Sequence, residues 1–342
     1  MRKKTYAALA AAVLAAGALA GCSSQNTEKG KGTADSEGTE ETGETAVPSS
    51  EAQEGQAEGA GISDADIVIA GGDAAGMAAA IQAVAEGTDP SKILVLEKGG
   101  AEKSALSGES FNAADTDEQA EAGIEDSVDA FITDTMAAGG GKNSQEMVEH
   151  MAESGREALV WLRDQGVELS GVTQAEGSSV ARSYQAADGG NLGEEIEAKL
   201  QEKFDSLNVN VAENTELAQV LYGADGEVTG VKVKGDKGEQ EITCRALLVT
   251  DVDYIDLLED LAVSYVTDES GANKGILVDS CANAVTADGG EIPGLYGAGA
   301  VIDAALHGDK ALAGNELTGT IAFGMTAGTE TAIYSQDNAP EA

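Results

Sequence analysis

The residues whose types and spacing best suit chemistry are the run GGDAAG at Gly71–Gly76 and one later acid, Glu97. Glycines let a backbone approach a ligand closely, and a helix beginning among them turns its free amides and positive dipole end toward an anion. A carboxylate about twenty residues further on can accept from a ribose hydroxyl, and Glu97 lies 21 positions past Gly76. The surroundings match that purpose. Ile67-Val68-Ile69-Ala70 reads as a short buried strand, MAAAIQAVAEG as a small-residue helix, and Ile93-Leu94-Val95-Leu96 as a second buried strand. Strand, glycine turn, helix, strand and acid make up the βαβ signature of dinucleotide binding. One position departs: Asp73 stands where the second glycine of G-x-G-x-x-G belongs, bringing bulk and negative charge to the place of a pyrophosphate. These residues alone leave two readings open, a dinucleotide site or a βαβ scaffold that has lost its nucleotide.

Few other side chains compete. The cysteines are Cys22, Cys244 and Cys281, the histidines His150 and His307, and no CxxC or Cys/His spacing points to a metal. Cys244 and Cys281 sit in the apolar runs ITCRALLVT and ILVDSCANAV. Two buried free thiols are expected there rather than a disulfide, and Asp279 works against a reactive thiolate at Cys281. Tyr184 is expected on an exposed loop. Leu192, Ile196, Leu200 and Phe204 recur at helical spacing among acids, which marks a solvated amphipathic helix. With 61 acidic against 20 basic residues, the net charge is −41. That excludes nucleic acid as a partner, since its binding needs Lys and Arg to neutralise phosphates, and it repels small anions as well.

The elements that must hold the glycine turn begin only after about sixty residues. Arg2–Lys4 and an apolar run of about fifteen residues read as a signal peptide, ending in Leu19-Ala20-Gly21-Cys22. That ending resembles the lipobox of bacterial lipoproteins and implies a lipid on Cys22. Each buried CH₂ of such an anchor contributes roughly 0.8 kcal/mol, so two or three chains hold firmly. Residues 22–61 are Gly, Ser, Thr, Glu and Ala with little apolar content, a disordered acidic tether. The expected organisation is a signal peptide at 1–21, the tether at 22–61 and a folded domain at 62–335. The expected location is the extracytoplasmic face of a cell membrane, with the lipid bilayer as partner through Cys22.

Several stretches of the folded part resemble the flavoprotein subunits of the fumarate reductase/succinate dehydrogenase family, of flavocytochrome c type. DADIVIAGGDAAGMAAAIQA with ILVLEK is similar to the opening unit of that family, and Asp126–Val172 to its helical segment. GEVTGVKVKGDKGEQEITCRALLVT resembles its β-meander and returning strand. IPGLYGAGAV and LHGDKALAGNELTGTIAFGMTAG resemble PGLYAAGEV and HGANRLGGNAL…FGRxAG. The matches are collinear from about Asp64 to Gly328. The resemblance implies an α/β fold: a Rossmann-like FAD-binding domain with a β-meander and a helical insertion at about 117–205, its first and last segments packed together. It implies FAD as cofactor, with Gly71, Gly72, Ala75, Gly76, Glu97 and Lys98 on the ADP half and Gly299, Asn315 and Leu317 near the ribityl chain and flavin. His307 takes a structural position beside the flavin loop.

The departures bear on activity. The flavin-side loop reads Gly99-Gly100-Ala101-Glu102-Lys103-Ser104, the ATGG turn is Val249-Thr250-Asp251-Val252, and A-G-E becomes Ala298-Gly299-Ala300. The family's substrate-clamping arginine and two histidines fall at Ala311, Tyr184 and near Gly271. The capping domain shrinks to roughly Asp251–Gly271. Fumarate reduction is therefore not expected, because a dicarboxylate transition state would lack cationic support. The expected function is a membrane-anchored FAD oxidoreductase-like protein with an unidentified substrate and a redox partner protein; the alternative is a non-catalytic relative acting as a surface binding lipoprotein.

Overall fold

The computed structural model describes residues 62–99, 106, 108–267 and 274–340. The signal-like segment, Cys22, the acidic tether, Gly100–Ser104 and Gly271 lie outside the described residues. Strand β1 (Ile67–Ala70), helix α1 (Ala74–Ala85) and strand β2 (Ile93–Leu96) form the opening unit. Next come β3 (Phe111–Asn112), α2 (Asp117–Glu121), α3 (Val128–Ala138), α4 (Gln145–Asp164), β4 (Leu169–Thr173), β5 (Ser183–Ala186), α5 (Leu192–Leu207) and β6 (Asn210–Ala212). Strands β7 (Glu216–Tyr222), β8 (Val228–Gly235) and β9 (Gly238–Thr243) form an antiparallel meander, followed by β10 (Ala246–Val249). After a 3₁₀ stretch at Val252–Leu261, β11 (Tyr265–Thr267) pairs with β12 (Lys274–Ile276). The chain ends in β13 (Asn283–Val285), β14 (Glu291–Gly297), α6 (Asp303–His307) and α7 (Asn315–Asp337).

The central sheet has the order β13-β14-β10-β1-β2-β6, parallel except for the edge strand β13. Every residue of β1, β2 and β10 is buried. Four-residue apolar runs without alternation suit strands covered on both faces, as parallel strands are. The sheet reverses its order at β1: β2 and β6 extend one way, β10 and β14 the other. Ligands of such sheets bind beyond the carboxyl ends of the strands at that reversal. The chain thus closes on itself, β14 lying against β10 and α7 against α1. Small residues permit the helix contact: a Cβ on Gly324 would come within 2.9 Å of the Ala75 carbonyl, and one on Gly328 within 2.4 Å of the Ala79 carbonyl.

The insertion differs from a purely helical one. Strands β3, β5 and β4 form a small antiparallel sheet beside the helices. This corrects the expectation for Tyr184, which is on β5 and only 1% exposed. Its hydroxyl is bonded to Thr116 and lies 3.5 Å from Glu118, and the Arg163 guanidinium sits 5.8 Å from the ring centroid. A pairing of Phe111 with Tyr184 carries the ring inward. Cys244 is buried as expected, Cys281 only half-buried, and both are free thiols. Burial first, then nearby carboxylates, push the thiols up, to about 12 at Cys244 and about 11 at Cys281. Both shifts work against a thiolate at neutral pH.

Candidate functional site

Residues that follow four parallel strands converge at the sheet's reversal. Gly71 follows β1, Glu97 follows β2, Thr250 and Asp251 follow β10, and Gly299 follows β14 after one residue. Gly71 has φ +134°, and an added Cβ would fall 1.9 Å from the Thr250 hydroxyl, so only glycine allows the two strand ends to meet. Gly72 lies against the Glu97 carboxylate, with 2.6 Å between its virtual Cβ and Oε1. Gly76 sits on the Gly71 carbonyl, 2.0 Å from a virtual Cβ. Gly299, at φ +68°, faces the Ala75 methyl at 2.8 Å and Thr250 beyond it. Gly71, Gly72, Ala75, Gly76, Glu97 and Gly299 are therefore one constellation.

The remaining candidates make contacts of their own. Lys98, two residues past β2, pairs with Asp253, four residues past β10, and stands 5.9 Å from the Tyr254 ring centroid. Asn315 is fully buried, its amide donating to Thr135 Oγ1 at 2.9 Å and its oxygen accepting from Asn112 Nδ2 at 2.7 Å. Ser183 Oγ in turn donates to Asn112 Oδ1 at 2.6 Å. This network ties the start of α7 to α3 and the small sheet. Leu317 is also fully buried, packed under Gly108, whose virtual Cβ is 2.7 Å from Leu317 Cγ. His307 is 6% exposed, with both ring nitrogens lacking a hydrogen-bond partner. Burial pushes its pKa down to about 4, so the imidazole is neutral.

The capping role of Asp73 and the position of Asp303 escaped the sequence reading. The Asp73 carboxylate caps α1, Oδ1 accepting from the Gly76 amide at 3.0 Å, and the Thr250 hydroxyl and Ala75 amide also reach it. Burial, then Asp251, push Asp73 up from its ordinary value against those donors. Asp303, at the start of α6, has half of its side chain open to solvent and Oδ1 3.7 Å from His307 Nε2. That separation is too long for a hydrogen bond. The protein packed around it, then the charges of Glu316 and Asp73, push Asp303 above its ordinary value. Glu316, between Asn315 and Leu317 in the first turn of α7, is an exposed acid whose charge acts on Asp303. In the sequence, Asp303 resembles any other surface acid; only the fold brings its charge to bear on Asp73.

This donor set suits a dinucleotide at the adenosine side. The Gly71–Gly76 turn gives close backbone approach, α1 offers its amino end, and Glu97 stands at the end of the neighbouring strand beside Gly72. At the diphosphate position the seat is present but holds the Asp73 carboxylate. Among the described residues, no group of three or more His, Cys, Asp or Glu side chains is arranged to hold a metal ion.

Comparison with known proteins gives the same cofactor. Residues 66–272 match the family model described as FAD binding domain. The NADH:fumarate oxidoreductase of Klebsiella pneumoniae (strain 342) is 31% identical over 240 residues, 66% of this chain and 25% of that protein. The fumarate reductase (cytochrome) of Shewanella frigidimarina is 32% identical over 174 residues, 50% of this chain and 30% of that protein. This chain therefore corresponds to less than a third of either relative's length. The open conformation of a flavocytochrome c3 fumarate reductase superposes with a TM-score of 0.71 at 15% identity, covering 82% of this chain and 79% of that one. At that identity the likeness establishes the α/β fold. The matched family and the glycine turn at the strand ends agree: the chain belongs to the FAD binding domain family, and its cofactor is FAD.

Proposed function

We propose that the chain is an FAD-dependent oxidoreductase held at the extracytoplasmic face of a membrane by a lipid on Cys22, exchanging electrons with a partner redox protein. The observation that carries the reading is the convergence of Gly71, Gly72, Ala75, Gly76, Gly299 and Glu97 at the reversal of a parallel sheet. Glu97 would hold the ribose of the adenosine half, and the α1 amides would face the diphosphate. When bound, FAD supplies two-electron acceptance and donation. The protein's contribution is to bind it, orient it and set the charge around it. The signal-like start and LAGC at Leu19–Cys22 support membrane attachment.

The charge at this site does not suit fumarate as the substrate. Positions corresponding to the family's cationic clamps are Ala311 and the buried Tyr184, while Asp73 sits in the glycine turn and its charge and that of Asp303 act on one another. A dianion would meet repulsion where its transition state needs stabilising. The same carboxylates favour one second reading, a non-catalytic relative that keeps the fold as a binding module. An absorbance spectrum of the purified chain, before and after incubation with excess FAD and desalting, separates the two. The oxidoreductase reading expects flavin bands that survive desalting. A colourless protein that still melts cooperatively would overturn it in favour of the binding module.

A further inference from the structure

We infer that the Asp73 carboxylate is a built-in substitute for the cofactor's diphosphate, seated on the α1 amides, so that FAD must displace it to bind. The inference rests on the FAD reading of this site and adds the residue that sets its affinity. An anion at the start of a helix is held by the first free amides. Here Asp73 Oδ1 already accepts from the Gly76 amide at 3.0 Å, and the Ala75 amide and Thr250 hydroxyl also favour its charged form. The other wall is equally filled: Thr250 Oγ1 occupies the space left by Gly71, 1.9 Å from a virtual Cβ, and Asp73 Oδ2 lies 3.6 Å from that point. Lys98, the cation nearest in sequence to the ends of these strands, is engaged by Asp253.

Two consequences follow. The helix start is satisfied without cofactor, so the domain folds independently of FAD. A diphosphate arriving at the turn must also break charge-assisted bonds and then remain beside a carboxylate, both of which lower its affinity. Asp73→Gly opens the seat, whereas Asp73→Asn keeps an acceptor for the Gly76 amide and removes only the charge. Asn caps helices about as well as Asp, and Gly only slightly less well.

The test uses the full chain freed of carried flavin, as the natural protein and as the Asp73→Gly, Asp73→Asn and Asp303→Asn variants. FAD is titrated by quenching of flavin fluorescence, and each protein is melted without FAD. All four are expected to melt cooperatively. FAD affinity is expected to rise about tenfold or more for Asp73→Gly, the scale of a lost charge-assisted bond, and less for Asp73→Asn. Asp303→Asn, which removes a neighbouring charge but leaves the cap, is expected to gain least. Equal affinity in the natural protein and Asp73→Gly overturns the inference and leaves the FAD reading standing. An equal gain in Asp303→Asn assigns the effect to general charge and also overturns it. Binding by Asp73→Gly alone supports the inference while removing flavin chemistry from the natural protein. Binding by none of the four overturns both.

Discussion

Arg182 is fully buried, and its guanidinium forms two bonds with Asp126 at 2.8 and 3.0 Å and a third with Asp134 at 2.7 Å. Each carboxylate has further donors: Gln119 Nε2 at 2.8 Å on Asp126, and the Ser179 amide and hydroxyl at 2.8 and 2.7 Å on Asp134. The Phe131 ring centroid lies 5.0 Å from the guanidinium carbon. A buried ionic cluster of this kind adds little to stability over an apolar replacement of the whole, but removing one member strands the others. Arg182→Met is therefore expected to cost about 3–5 kcal/mol at pH 7, measured by urea unfolding. Burial alone would raise the Asp126 and Asp134 carboxyls. Hydrogen bonds outweigh it and hold both below the usual range: Arg182, Gln119 and the Ser127 amide on Asp126, and Ser179, then Arg182, on Asp134. Depressed folded-state values contribute stability above the unfolded value of about 3.9, and that contribution is lost as pH falls through the folded values. The natural protein should thus lose stability below about pH 4. The gap to Arg182→Met should narrow there, because protonation neutralises the stranded acids. A gap that stayed constant to pH 3 would mean that the cluster is not ionised in the fold.

At the scale of elements, the contact of α1 with α7 depends on the missing side chains of Gly324 and Gly328, one turn apart. In an isolated helix, Gly→Ala would stabilise by about 1 kcal/mol. At Gly328 the new methyl would lie 2.4 Å from the Ala79 carbonyl and 2.8 Å from Gln82 Cβ, and backbone cannot yield as a flexible side chain can. The packing cost of about 1–3 kcal/mol outweighs the propensity gain. Gly328→Ala should lower the thermal midpoint, and a raised midpoint would show that the helices stand further apart. Such pairings were only partly legible beforehand. IVIA, ILVL and ALLV announce doubly covered strands because they do not alternate. β5 could not be read that way: it has four residues, SYQA, and gains its place by pairing across the insertion with the two-residue β3. Tyr184 was hidden for that reason, since neither strand carries a periodic pattern of its own.

At the scale of the whole molecule, the site is visible in sequence only where it is local. The glycine turn and Glu97 belong to one βαβ unit, so spacing reveals them. Thr250 and Asp303 arrive from segments far along the chain and act on Asp73 only because β10 and β14 lie beside β1. The same closure dictates how the domain must fold. β10 pairs with β1 on one edge and β14 on the other, through Leu247–Leu295 and Val249–Gly297. Without residues 274–342, β10 would present an open apolar edge and α1 would lose the helix that covers its small-residue face. Without residues 1–267, β14 and α7 would keep only β12, β13, the turn at Gly299–Ile302, α6 and each other, too little apolar surface to offset chain entropy. Expressed separately, the pieces 1–267 and 274–342 are expected to be insoluble or to lack a cooperative melt. Expressed together, they should copurify as a complex with one transition. If either piece alone melted cooperatively, the domain would be two folding units, and Asp303 of α6 would come near Asp73 by docking rather than as part of one core.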